Sequence, residues 1–298
     1  MWGRFASPAK GTRPMRSVKF FVAAGAACLL SSMASAADMA IAPPPMGYAP
    51  PVADFGGWYL RGDIGFSNQR VDNIRNTNPA LYANLTSFQE TTGFDTGGIY
   101  QIGAGYQFNH WFRVDVTGEY RGNTNFHGLD LTSFPNGGAA GFGSDVYNAQ
   151  KSEWLFLANA YADLGTWWCI TPYVGAGIGA ARVTIANFTD SGVATLFPAG
   201  SGVGPSLVSA ANGSQWNFAW ALHAGLAYKV NPNMTVELGY SYVDLGNGTT
   251  GVDSTFDHSA GGHVFQFHNI TSQDVKLGVR WNLDSPPVYV PPPLVTKG

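Results

Sequence analysis

Apolar and polar residues alternate one for one along Thr271–Leu283: Val275, Leu277, Val279, Trp281 and Leu283 are separated by Lys276, Gly278, Arg280 and Asn282. That is the period of a β-strand, whose successive side chains point to opposite faces. The pattern recurs along the chain. Gly57–Ser67 sets Trp58, Leu60, Ile64 and Phe66 against Arg61 and Asp63. Gly98–Phe108 sets Tyr100, Ile102, Ala104, Tyr106 and Phe108 against Gln101, Gly103, Gly105 and Gln107. In Trp111–Gly122, Phe112, Val114, Val116 and Tyr120 oppose Arg113, Asp115, Thr117 and Glu119. Ser214–Val230 and Asn233–Val243 repeat it, the second with Glu237 on its polar face. Lys151–Leu164 alternates less clearly, which leaves its register open, and Thr171–Val183 is rich in Gly and Ala, as suits a crowded or sharply bent stretch of wall. Eight strands are predicted.

The connections alternate too. Those after the second, fourth and sixth strands are about two to six residues long, with Asn109-His110 and Asn231-Pro232 as turn signals. Those after the first, third, fifth and seventh (68–97, 123–150, 184–213, 244–270) each run to roughly 30 residues, which is unusual inside a compact soluble domain. Short turns at one end, long loops at the other and an even strand count describe a transmembrane barrel. Strands of about 10 residues also suffice to cross a bilayer when tilted. The predicted fold is all-β: an eight-stranded antiparallel transmembrane up-and-down β-barrel with four long extracellular loops.

Energy decides which face meets lipid. One Lys or Arg on the lipid face costs roughly 2–4 kcal/mol at the midplane, and several would exceed a typical folding stability of about 5–15 kcal/mol. The apolar faces therefore point outward, and Arg61, Asp63, Arg113, Asp115, Glu119, Glu237, Lys276 and Arg280 point into the lumen. Four basic and four acidic groups in so narrow a space should pair, because eight strands leave just enough room for side chains to fill the interior. Most of the tryptophans are expected near strand ends or on the outer face, in interfacial girdles.

The ends of the chain refine this picture. Phe20–Leu30 is apolar but too short to span a membrane as a helix. Arg16 and Lys19 precede it and Ala34-Ser35-Ala36 follows, as in a secretory signal peptide over residues 1–36 that starts at Met1 or Met15 and is cut after Ala36. A lipid-attachment reading of Cys28 is disfavoured by Gly25 and by the apolar run continuing past it. Removing that segment takes five basic residues with it, so 11 basic residues face 19 acidic ones and the net charge falls from −3 to −8. An acidic exported chain is not a nucleic-acid binder. Cys169 is then left without a disulfide partner and is expected as a buried or membrane-facing thiol. Repeated proline makes residues 37–56 and 284–298 extended periplasmic arms flanking the barrel at 57–283.

No set of residues matches a catalytic, cofactor-binding or metal site. His258, His263 and His268 recur every five residues and share no helical face, and His223 could face the lumen and meet a carboxylate. No phosphate loop or nucleophile elbow occurs. The long loops are rich in Asn, Thr, Ser, Gly and Phe, adaptable residues for contact with an extracellular or host ligand.

Several stretches resemble known proteins. Lys276-x-Gly278-x-x-Trp281-x-Leu283 resembles the β-signal that the barrel-assembly machinery reads in outer-membrane barrels. Together with GWYLRGDIGFS (57–67), GAGYQF (103–108), LANAYADLGT (157–166), TPYVGAGIGAA (171–181) and VELGYSY (236–242), it resembles the OmpA-like, opacity-type small barrels. Within these, the likeness is to the porin-like surface antigens of alphaproteobacteria. The resemblance implies an integral outer-membrane protein among lipid and lipopolysaccharide, supporting envelope integrity and surface exposure; the residues themselves point to no cofactor and no catalysis. A small porin-like channel is the alternative; a lipid-modifying barrel enzyme and a lipocalin-like binder are further ones.

Overall fold

The computed structural model describes residues 56–284. The predicted signal segment and both predicted Pro-rich arms lie outside the described residues, apart from Gly56 and Asp284. Eight long strands form one ring: β1 (Gly57–Arg70), β2 (Gly97–Gln107), β3 (Phe112–Asn136), β4 (Ala139–Asp163), β5 (Ile170–Thr195), β6 (Gly213–Lys229), β7 (Met234–Thr249) and β8 (Phe265–Asn282). Each pairs antiparallel with its chain neighbours, and β1 closes the ring on β8 with Leu60 opposite Trp281 and Ile64 opposite Leu277. Closure removes the unpaired edges that an open sheet would present.

The two faces divide as the alternation predicts. Ile102 is 75% exposed and Phe66 69%, both on the outer wall, whereas Arg113 is fully buried inside. Asparagine side chains make two of the short turns: Asn109 Oδ1 accepts from the amides of Trp111 (3.0 Å) and Phe112 (2.7 Å), and Asn231 Oδ1 does the same for Asn233 and Met234. Between β4 and β5, Trp168 and Cys169 both adopt positive φ, and Cys169 is exposed there. Of the two positions expected for this thiol, the buried one is corrected: a two-residue hairpin turn holds Cys169 out of the core.

The long connections are mostly not irregular. β3 and β4 continue through 123–150 as one hairpin to a turn at Gly137 (φ +59°) and Gly138 (φ +93°), a pair of left-handed positions that only glycine adopts at little cost. β5 likewise extends through 184–195 and is met by a short strand, Val203–Ala210. Asn73–Asn76 and Ser87–Phe94 add β-structure beside β8 and β3. At about 3.3 Å per residue and a tilt near 40°, the 25 residues of β3 rise roughly 60 Å, against an apolar band of about 25 Å. The pairing shifts register between Arg121 and Thr124, Asn148 and Gln150, and Asp244 and Gly246. Such bulges flip the inward parity of a strand, so one alternation does not run through both parts.

The interior is also two-sided. Towards β4, β5 and β6 it holds Leu155, Leu157, Ala181, Ala219 and Ala221, and above them an aromatic cluster of Phe126, Phe188, Phe265 and Phe267. This explains the blurred alternation of Lys151–Leu164: leucines point inward while Trp154 and Phe156 point outward.

Candidate functional site

The lumen brings the eight sequence-predicted charged residues together, each at most 9% exposed. Arg61 lies 2.8 Å from Asp63, 3.0 Å from Asp115 and 3.4 Å from Glu237. Glu237 also faces Arg113 and Arg280, both at 3.5 Å. Lys276 reaches Glu119 at 3.0 Å. The guanidinium of Arg113 lies between the rings of Tyr161 (4.3 Å) and Tyr173 (4.8 Å), a cation–π contact on each face. Inward glycines make room for these rings: a Cβ on Gly175 would overlap Tyr161, and one on Gly225 would come within 2.6 Å of Tyr173.

Five further charged residues, not predicted above, complete the network. Arg121 meets Asp274 at 2.6 Å and Glu119 at 2.7 Å, Lys151 pairs with Glu153, and Asp163 accepts from Arg113. Arg121 and Asp274 share the inward parity of residues already named, so period two alone points to them. Lys151 and Glu153 needed the register of β4. Between Arg61, Asp63, Tyr161, His223, Glu237 and Lys276 lies a pocket of about 10 Å³, room for about one water.

His223 is inside, but its partners are not the carboxylate expected. Asn159 donates from Nδ2 to Asp115 (2.8 Å), which turns its Oδ1 towards His223 Nε2 (3.1 Å). The imidazole proton therefore sits on Nε2, and Nδ1 accepts from the Ser241 hydroxyl at 2.8 Å. A Ser–His pair is present, but Ser241 is 2% exposed in a packed lumen, with no space for a substrate beside it.

At the long-loop end a cavity of about 570 Å³ opens between the hairpins. Asp130, Asp145, Asp190 and Asp253 line it together with Tyr82, Phe88, Phe134, Tyr147 and Phe265. Asp130 and Asp145 are direct cross-strand partners. Tyr147 donates to Asp130 Oδ2 at 2.8 Å, while Asp130 Oδ1 is buried with no hydrogen-bond partner. Burial, reinforced by Glu90 and Asp145, pushes the Asp130 carboxyl up to about 6. Burial, followed by repulsion from Asp145, Asp130 and Asp253, pushes Asp190 up to about 7. Among the described residues no three His, Cys, Asp or Glu side chains converge to hold a metal ion. His258 instead lies against Ser254, its Nδ1 3.0 Å from the hydroxyl.

A family model described as "Outer membrane protein beta-barrel domain" matches residues 24–282. The chain belongs to that family. It is an integral protein of the bacterial outer membrane. An uncharacterized protein of Brucella abortus (strain 2308) is 32% identical over 235 residues, covering 73% of this chain and 78% of the relative. The outer membrane protein PagN of Salmonella typhimurium is 28% identical, covering 76% and 89%. A candidate adhesin of Rickettsia felis is 24% identical, covering 90% of this chain and 100% of its own length.

Family membership orients the barrel, with short turns periplasmic and hairpins extracellular. Trp58, Trp111, Trp167 and Trp281 stand exposed around the periplasmic rim, and Trp154 and Trp216 mark the opposite interface. Of the residues resembling a β-signal, Lys276 points inward to Glu119 and Gly278 abuts Asp63. Trp281 and Leu283 point outward.

Proposed function

We propose that this protein is a non-catalytic structural component of the outer membrane whose extracellular hairpins engage surfaces outside the cell while its lumen stays closed. One observation carries the reading. The hairpins are ordered β-structure far taller than the membrane band, and their outer parts expose Phe142, Val193, Phe197, Val203 and Phe256. Apolar side chains held out in water on a rigid scaffold mark an interaction surface. The adhesin description of the Rickettsia relative is in keeping with this.

The ion-paired lumen supports closure over the small-channel alternative. Lipid and lipopolysaccharide would surround the outer wall. The barrel-assembly machinery would read Lys276, Gly278, Trp281 and Leu283, after export directed by residues 1–36 with cleavage after Ala36. The test is attachment of bacteria that display the protein to cultured host cells. Triple replacement Phe142→Ser, Phe197→Ser and Phe256→Ser is expected to reduce attachment severalfold with unchanged heat-modifiable gel mobility. Attachment equal to that of a strain lacking the protein, before any replacement, would overturn the reading.

A further inference from the structure

The extracellular cavity carries an unmet electrostatic demand. Four carboxylates line it, and no Lys or Arg does. Asp253 is satisfied by Asn76 Nδ2 (2.8 Å) and by the His263 amide (2.9 Å). The others are not. Asp130 is 2% exposed, yet its Oδ1 has no hydrogen-bond partner, and Asp190 Oδ1 also has none. Like charges directly across a β-ladder are destabilising, and Asp130 faces Asp145 in that way. With this repulsion beside an orphaned buried oxygen, the ionised cluster would be stabilised by an entering cation.

The chemistry of the lining selects the cation. The carboxylates are spread around a cavity of about 570 Å³ and make no close ligand set, which disfavours a bare metal ion. Aromatic faces fill the space between them, and these attract organic ammonium and guanidinium groups. The same aromatics already do so once: Arg75 lies 4.5 Å over Phe88 and 5.7 Å from the centre of Tyr82. Its charge is taken by Glu90 at 2.9 Å, so it does not answer the aspartates.

We propose that this cavity is a binding site for an alkylammonium ligand, with Asp130, Asp145 and Asp190 taking the ammonium groups and Tyr82, Phe88 and Phe134 packing on the methylene chain. The ammonium is either that of a free polyamine or that of a lysine side chain on a partner polypeptide. The inference builds on the reading of this end as the interacting surface, but its test uses purified protein and does not depend on attachment to cells.

Protons compete for the same oxygens. The groups facing the cavity are Asp130, Asp145, Asp190, Asp253, His263, Tyr82 and Tyr147, with the Arg75–Glu90 pair behind the aromatics. Because Asp130 and Asp190 take up protons near pH 6 and pH 7, binding weakens as the pH is lowered through that range.

The experiment is calorimetric titration of the full-length protein, refolded in zwitterionic detergent, at low salt and pH 8. The probes are spermidine, a lysine-rich peptide and the same peptide with every Nε acetylated. Saturable binding of spermidine alone assigns a free amine; saturable binding of the unacetylated peptide alone assigns a side chain; either supports the site. Asp130→Asn and Asp190→Asn should each weaken binding about tenfold or more, the loss expected for one charge-assisted hydrogen bond. Asp257→Asn, at an exposed tip, should not change it. Asp190 is only half-buried, so its variant keeps the test valid if Asp130→Asn does not fold. No saturable binding by any probe, full replacement of spermidine by magnesium at equal ionic strength, or equal binding to the aspartate variants would overturn the proposal.

Discussion

Glu237 is a point where one change unbalances three cations at once. Its carboxylate is 2% exposed and faces three guanidinium groups, those of Arg61, Arg113 and Arg280. In Glu237→Gln the size is kept and the charge removed. Arg61 retains Asp63 and Asp115, and Arg113 retains Asp163, but Arg280 has no other carboxylate within ion-pair distance among the described residues. Leaving one charge of a buried pair uncompensated costs about 3–5 kcal/mol. The three contacts to Glu237 are long, at 3.4–3.5 Å, so the lower end applies, about 3 kcal/mol. With a urea dependence of about 2 kcal/mol per M, the unfolding midpoint in detergent micelles should fall by about 1.5 M. Adding Arg280→Met should restore part of that loss, because the orphaned cation goes with it. A midpoint for Glu237→Gln no lower than that for Asp95→Asn, in the exposed pair with His127, would show that Glu237 does not hold the three cations in balance.

Two more outcomes follow from the packing and from the extracellular carboxylates. Gly175→Ala should push Tyr161 off the Arg113 guanidinium and cost about 1–3 kcal/mol in the same urea titration, whereas Ala176→Gly on the outer face should cost less. Asp130 and Asp190 have carboxyls raised above the ordinary aspartate range, so their contribution to hairpin stability is fully present below about pH 4 and is lost as the pH rises through about 6 and 7. Amide exchange over Leu129–Phe134, corrected for intrinsic rate, should therefore be slower at pH 5 than at pH 8. Equal protection at the two pH values would contradict this.

The strands were legible in the sequence wherever one face meets lipid and the other meets charge. In β8, Val275, Leu277 and Val279 stand outside, and Lys276 and Arg280 inside. Where both faces are apolar the strand was legible but its register was not, as in β4 with Leu155 and Leu157 packed inward behind Trp154 and Phe156. Legibility failed past the bulges. Residues 123–150 carry a hairpin signal in Asn136-Gly137-Gly138, but the register shift after Arg121 breaks the alternation that would have tied it to the barrel strands. The extracellular cavity could not be read at all. Asp130, Asp145, Asp190 and Asp253 come from four separate stretches, and only the pairing of β3, β4 and β5 with the short strand Asp253–Thr255 nearby brings them around one space.

Conductance in a planar bilayer reads out whether the ion-paired lumen is closed, as proposed. The wild-type protein should leave the membrane at baseline in 1 M KCl, and Glu237→Gln should bring on intermittent current steps. Steady, long-lived open-channel steps from the wild-type protein would contradict closure.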